Sequence, residues 1–442
     1  VELVLPVAGH AAARQTKARP IGWAGLDDGA GGTGMRHRKK TTETGPVIGE
    51  GWQKFATFLT HAGRQTPDQK GSFVNMPVER GSTVIFPTVE EMEAQGGYAY
   101  DHQLVYGAMG NPVQHRLEQV ITALEGGSHT QVVNSGLAAC SVALLAFLKA
   151  GDHLLLPDSV YGPTRRFALG TLARFGVETG FYPPRADEAT LRAHIRPNTT
   201  VIFAESPGSH TFEVQDIPLI ARMAHGAGAR LLLDNTWGIG AFQPFTSGVD
   251  VSIQALTKYP SGHADVILGS ITVQRPEHWQ ALRRAAIELG ACGAPDDCWL
   301  TLRGLKTMAV RLSQQARSAY ELAFWLESRP EVARVRHPAL PGCPGHEIWK
   351  RDFTDASGLF GVELAEGITQ EAMIVLLNGL NLFSIGASWG GYESLVLPTS
   401  GGLTRHHEEG LPKGAAFRIQ VGLENVADLK ADLARGLDGL KR

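Results

Sequence analysis

Cysteine is scarce in this chain: 442 residues carry four, Cys140, Cys292, Cys298 and Cys343, and no two of them form a C-x-x-C pair. That excludes a disulfide-dense scaffold and a cysteine zinc site, and it fits a reducing cytoplasm. Long apolar runs are missing too, and none approaches the roughly 20 residues that a membrane-spanning helix needs. Charge of one sign is also absent. Lys and Arg total 41 against 44 Asp and Glu, a formal net charge of -3, which removes the electrostatic footprint of a nucleic-acid binder. Small molecules are the expected partners, with neither nucleic acid nor membrane among them.

What is present is apolar enough to fold: 43% of residues are hydrophobic and 19% charged. The length exceeds what one core usually supports, so a large domain plus a smaller one is expected. Residues 1–45 are rich in Gly, Ala, Thr and Lys and follow neither structural period, which predicts a disordered extension. Within it, Gly29-Ala30-Gly31-Gly32-Thr33-Gly34 matches the dinucleotide pattern G-x-G-x-x-G. Context rejects the match, because polar residues precede it and the basic stretch Arg36 to Lys40 follows where a strand and an amphipathic helix are required. No apolar segment follows those basic residues, so a secretory signal fails, and Met35 is a candidate start.

From about residue 110, short apolar runs alternate with helical patterns, the grammar of a doubly wound α/β domain. Strands are expected at Gln131 to Val133, Leu154 to Leu156, Val201 to Ala204, Arg230 to Leu233 and Val251 to Ala255. Helices are expected at Leu137 to Leu148, Pro163 to Phe175 and Ile217 to His225. Beyond about residue 304 a long helix, Lys306 to Leu326, precedes mixed strands at Leu359 to Leu364, Ser394 to Leu397 and Phe417 to Val421, with a closing helix from Val426 to Leu437. The division expected is therefore 111–304 for the α/β domain and 305–442 for a smaller α+β domain. Residues 46–110 show little period and many Gly, Pro and Thr, as in an arm that wraps a neighbour.

Ligands of open α/β sheets sit beyond the carboxyl ends of strands. After the first strand comes Asn134-Ser135-Gly136-Leu137, whose free N–H groups at a helix start suit a phosphate, though an ordinary Ser N-cap explains it as well. After Arg230 to Leu233 comes Asp234, a carboxylate that is costly to bury without a cation; a helix cap or surface position is the alternative. After Val251 to Ala255 come Thr257 and Lys258, a lysine either snorkelling to solvent or held inward for use. Together, amine, carboxylate and phosphate cup are the three fittings that pyridoxal 5'-phosphate (PLP) requires.

The chain from about residue 55 resembles the Cys/Met-metabolism family of PLP-dependent enzymes, and within it the β-lyase branch. The resemblance rests on Tyr106-Gly107, Leu124-Glu125-Gly126-Gly127, Glu205-Ser206-Pro207-Gly208-Ser209, Asp234-Asn235-Thr236-Trp237, Ser252 through Tyr259, Ser388 through Ser394, and Arg418 ahead of Val421-Gly422-Leu423-Glu424. It implies a fold type I, aminotransferase-like α/β domain with a smaller C-terminal α+β domain. It also implies that Lys258 holds the cofactor as a Schiff base, Asp234 pairs with the ring nitrogen and Tyr161 stacks on the ring. Ser135, Gly136, Leu137 and Thr257 would line the phosphate cup. Arg418 would clamp the substrate carboxylate, bordered by Ser388 and Trp389. Tyr106 would reach in from a neighbouring subunit of a homotetramer. The implied reaction is β-elimination of L-cystathionine to L-homocysteine, pyruvate and ammonia, with cystine or cysteine as further substrates. Trp237, the Glu205 to Ser209 segment and Trp389 favour this over γ-acting relatives, and a non-catalytic PLP-fold protein is the third reading. One departure is Ala108, where the family commonly places a phosphate-binding arginine; another is Ala255, where γ-acting relatives often carry a phosphate-binding Ser. Elsewhere, His263 and Asp265 suit a hydrogen-bonded pair better than a metal, His406 and His407 a solvated loop with Glu408 and Glu409, and Cys292 and Cys298 inert thiols.

Overall fold

The computed structural model describes residues 48–64, 71–95, 97–407 and 410–441. The G-x-G-x-x-G stretch, Met35, Glu408 and Glu409 lie outside them. The first sheet has seven strands: β1 (His129–Val133), β2 (His153–Pro157), β3 (Glu178–Tyr182), β4 (Thr199–Glu205), β5 (Arg230–Asp234), β6 (Val251–Gln254) and β7 (Gly269–Val273). Their spatial order is β1-β7-β6-β5-β4-β2-β3. Strands such as Leu231-Leu232-Leu233 are wholly buried, as expected of a parallel sheet covered by helices on both faces.

The sheet departs from a purely parallel one at β7, which runs antiparallel to both β1 and β6. Neither β7 nor β3 is expected from the sequence, because Gly269-Ser270-Ile271-Thr272-Val273 is short and half polar. Its polar members are nonetheless buried, and Thr272 bonds Thr130 across the ladder at 2.9 Å. The helix expected at Pro163 to Phe175 is α-helical only over Gly162–Phe167 and continues as a π turn over Ala168–Leu172.

The long helix begins at Pro295 rather than Lys306 and runs to Glu327. Its start has Pro at the first turn with Asp296 and Asp297 beside it, the arrangement that the helix dipole favours. It leads into the second sheet, built from β8 (Val332–Arg336), β9 (Leu359–Leu364), β10 (Ser384–Ile385), β11 (Leu395–Pro398) and β12 (Ala416–Gln420) in the order β10-β11-β12-β9-β8. The helices Gln370–Asn378 and Val426–Asp438 contribute Leu376, Leu433 and their neighbours to a core shared with Phe360 and Phe417.

Residues 46–110 contain more regular structure than their composition suggests. Gln53–His61 is a helix that buries Leu59, next to the buried Trp52. It is fixed to the body by the Asp355 carboxylate, which accepts from the amides of Gly49 and Gly51. The segment from Phe73 to Ile85, by contrast, is extended, with Phe73 89% and Ile85 93% exposed.

The long helix touches the first sheet at one intimate point. A Cβ on Gly304 would lie 2.3 Å from the Ser261 carbonyl oxygen and 2.4 Å from that of Pro260. Backbone cannot yield as a side chain can, so Gly304→Ala is expected to cost about 1–3 kcal/mol through overpacking. Chemical denaturation should show it as a lower midpoint; a wild-type midpoint would mean that the helix is free to slide.

Candidate functional site

The carboxyl ends of β1, β4, β5 and β6 open into a cavity of ≈ 460 Å³. Of the residues singled out from sequence, Ser135, Gly136, Leu137, Tyr161, Asp234, Thr257, Lys258, Trp389 and Arg418 all line it. Ser388 joins them through a 2.9 Å hydrogen bond from Lys258 Nζ to its Oγ. Tyr106 is not among the lining residues; it is 49% exposed and forms an isolated bridge with Thr83.

Each side chain is placed by the fold beneath it. Ser135 caps the helix Gly136–Phe147, its Oγ accepting from the Ala138 amide at 3.0 Å. The amides of Gly136 and Leu137, in the first helical turn, have no intrahelical acceptor and face the cavity mouth. Asp234 ends β5. Its Oδ1 accepts from the amide and the hydroxyl of Thr236 at 3.1 and 2.6 Å, whereas Oδ2 has only the Cys140 thiol at 3.9 Å. Thr257 spends its hydroxyl on Leu268, donating to the carbonyl at 3.1 Å and accepting from the amide at 3.0 Å.

The second sheet closes the cavity. Arg418, on β12, is buried and donates from Nη2 to the carbonyls of Ala387 and Ser388 at 2.8 and 3.1 Å. Trp389 packs edge-on against Tyr259 and lies 5.3 Å from Lys258 Nζ, centroid to nitrogen. This loop reaches the lysine because of Gly390, whose φ is +88° and whose missing Cβ would sit 3.0 Å from Lys258 Cα.

Among the lining residues that sequence reasoning did not place in the site, three carry ionisable groups: Glu205, Cys140 and His210. Glu205 ends β4 beside Asp234 in register, and its Oε2 accepts from the Tyr161 amide at 2.7 Å. Cys140 and His210 complete the wall. A carboxylate buried at a strand end has no sequence signal of its own, although Glu205 does stand inside a quoted motif. The remaining candidates are structural. His263 bonds the Ser261 carbonyl at 2.6 Å instead of pairing with Asp265. His406 is stacked on Phe181 with centroids 4.5 Å apart, and the amides of His406 and His407 both donate to Asp158, so packing and not solvation alone holds them. Cys298 is buried, which pushes its thiol far above reactivity.

The Cys/Met metabolism PLP-dependent enzyme model matches residues 56–438. The chain belongs to that family. It is 42% identical over 388 residues to a cystathionine β-lyase of Bordetella avium, covering 86% of this chain and 97% of that one. It is 40% identical over 390 residues to the cystathionine β-lyase MetC of Escherichia coli, with 87% and 98% covered. The crystal structure of MetB from Corynebacterium glutamicum superposes with a TM-score of 0.80 at 30% identity, covering 87% of this chain and 98% of that one. The chain is thus an enzyme of fold type I whose cofactor is PLP.

The cavity fits that group. Asp234 is a partly buried carboxylate whose Oδ2 has, among the described residues, a single weak thiol donor, so a protonated ring nitrogen would supply what it lacks. Burial raises Asp234 above the usual carboxylate range, while Thr236 and Lys258 pull it back. Burial, joined by the Arg418 charge, lowers the Lys258 amine to about 8 from its ordinary 10.5, with Asp234 opposing. The two free amides at Gly136 and Leu137 are ready for a phosphate.

In the cofactor-free protein the Lys258 amine is protonated below about pH 8 and becomes a neutral nucleophile above it. Reductive methylation followed by peptide mass spectrometry should show that midpoint at Lys258. Because the Arg418 cation lowers the amine and the Asp234 anion raises it, Arg418→Leu is expected to move the midpoint up and Asp234→Asn to move it down. Shifts of the same sign would refute this electrostatic origin.

Proposed function

We propose that this enzyme is a cystathionine β-lyase, splitting L-cystathionine into L-homocysteine, pyruvate and ammonia, with cystine or cysteine as lesser substrates. The observation that carries the reading is Lys258 and Arg418 converging on one loop, Ala387 to Trp389, in the lining of one cavity. Relatives at 40% identity or above named for this activity support it.

Arg418 uses Nη2 on the loop carbonyls, and its Nη1 and Nε have no hydrogen-bond partner among the described residues. Those remaining N–H groups on a buried cation are available to an α-carboxylate. With the carboxylate there, the Cα proton faces Lys258. Bound PLP supplies an electron sink for charge that develops at Cα. Lys258 Nζ, tuned near neutrality and steered by Ser388 Oγ, takes the Cα proton. As the Cβ–S bond breaks, the electron pair from Cα forms the new double bond and the thiolate leaves, drawing a proton from Lys258. The enamine released hydrolyses to pyruvate and ammonia. Trp237 and Trp389 line the cavity near the reacting atoms and limit water there.

Tyr106 belongs in this reading to a neighbouring subunit's site. Its distance from the cavity of its own chain supports that role, as does the run of exposed apolar residues in the same arm, Phe73, Ile85 and Leu104. Buried apolar area of that kind is what subunit contacts supply. A homotetramer assembled through these arms and working in the cytoplasm completes the proposal.

The decisive experiment is product analysis with L-cystathionine and PLP. Pyruvate and homocysteine are expected, and 2-oxobutyrate with cysteine would replace this reading by γ-elimination. Lys258→Ala should lose the visible absorbance of the bound cofactor and, as removal of a covalent base, at least about 10³-fold in kcat. Retained pyruvate release would remove Lys258 from the mechanism.

A further inference from the structure

A second cavity, of ≈ 390 Å³, adjoins the first and shares Tyr161, Ser209, His210 and Leu397 with it. Three arginines line it. Two are neutralised by buried carboxylates: Arg165 by Asp158 at 2.9 Å and Arg405 by Glu213 at 2.9 Å. The third, Arg166, is exposed and has no ion pair or hydrogen bond among the described residues, which leaves its guanidinium without a counter-ion among them. Its guanidinium folds back over the start of its own helix, with Nη1 3.5 Å from where a Cβ on Gly162 would stand. That places it close behind Tyr161.

The junction between the cavities is marked by His210. Its φ is +65°, left-handed for a residue with a Cβ, a strained conformation that the chain adopts only where its surroundings enforce it. They do so here: the Ser209 amide donates to Ser159, that of Thr211 to Ser209 and that of Phe212 to Gly208. The Nδ1 atom of His210 is buried and has no hydrogen-bond partner. A strained residue with an unsatisfied polar atom on a cavity wall calls for a ligand group.

We propose that the second cavity receives the far end of a long thioether amino acid, with Arg166 binding its distal carboxylate and His210 bonding the segment that crosses the junction. The inference rests on the lyase reading for the near end of the substrate at Arg418 and Lys258, and it names the substrate class: a thioether bearing a second carboxylate, in preference to short cysteine derivatives. The two adjoining cavities together carry Arg418 and Lys258 in the first and Arg166 in the second, joined at Tyr161, Ser209, His210 and Leu397.

The test compares L-cystathionine, which has a distal carboxylate, with S-ethyl-L-cysteine, which lacks one, on the PLP-loaded enzyme. Arg166→Ala is expected to lower the ratio of kcat/KM for cystathionine over S-ethyl-L-cysteine by roughly tenfold or more, chiefly through KM, the effect of losing a hydrogen-bonded charge pair. Arg166→Lys should recover part of the ratio, and Arg166→Glu should lower it further. His210→Asn, which tolerates the left-handed backbone, should reduce the ratio in the same direction by roughly threefold or more. An unchanged ratio in Arg166→Ala, or an equal loss on both substrates, overturns the proposal. The keto acid formed in the same assay judges the β-lyase reading separately: 2-oxobutyrate would mean γ-elimination, which S-ethyl-L-cysteine, with its sulfur on Cβ, cannot undergo, and L-ethionine, with its sulfur on Cγ and no distal carboxylate, then takes its place in the ratio that reports on Arg166.

Discussion

A carboxylate without enough partners governs this molecule. Asp234 is partly buried at the end of β5, one strand from the strand that leads to Lys258, and one of its oxygens has, among the described residues, only a thiol donor. Such a group is unstable in its ionised form unless a cation comes to it. The lysine opposes it from across the cavity but is itself depressed by burial and by Arg418, so it cannot serve as a full counter-charge. A positive ring nitrogen resolves both problems at once. The same cavity offers what PLP would need besides: the amides of Gly136 and Leu137 for its phosphate, the Lys258 amine for its aldehyde and the Tyr161 ring for stacking.

The second sheet is as necessary as the first. The strand ends of the first sheet carry Asp234 and Glu205 and lead into Ser135 and Lys258, but the guanidinium of the same cavity, Arg418, stands on β12. The loop between β10 and β11 must lie directly on the backbone of Lys258 to bring Ser388 to the amine, and only a residue without Cβ permits that approach. The long helix performs the matching task from the other side, where Gly304 lets it rest on the carbonyls of Pro260 and Ser261. Arg311 on that helix adds bonds at 2.9 Å to the carbonyls of Tyr259 and Gly304. The turn that carries Lys258 is therefore clamped between two elements of the C-terminal half.

The sequence made much of this legible, for a physical reason. Strands buried on both faces must be apolar throughout, so Leu231 to Leu233 and Leu154 to Leu156 were visible as runs, and the functional residues stand at their ends. The antiparallel β7 was not visible, because its threonines and serine satisfy one another across the ladder and break the apolar pattern. The helix Gln53–His61 was obscured by the glycines and prolines around it, although its capture by Asp355 depends on those same glycines. His406 and His407 were read as solvated because their neighbours in sequence are charged; their neighbours in space, Phe181 and Asp158, come from distant segments. Periodicity reports burial by an element's own pattern, and it is blind to polar groups that find their partners across the fold.

Glu205 shows what such a cross-fold partner can organise. From the end of β4 it accepts the Tyr161 amide at 2.7 Å, which fixes the backbone of an aromatic in the cavity lining, and Ser209 stands close enough to lower its carboxyl. Burial and the adjacent Asp234 push its carboxyl well upward, so these donors are what allow a second acidic group beside the first. Ser209 in turn begins the rigid segment that forces His210 into its left-handed conformation. One buried carboxyl thus sets the stacking residue, the junction wall and the entry to the second cavity relative to Asp234. The two cavities share Tyr161 and Ser209, so the wall between them is built next to this pair of strand ends.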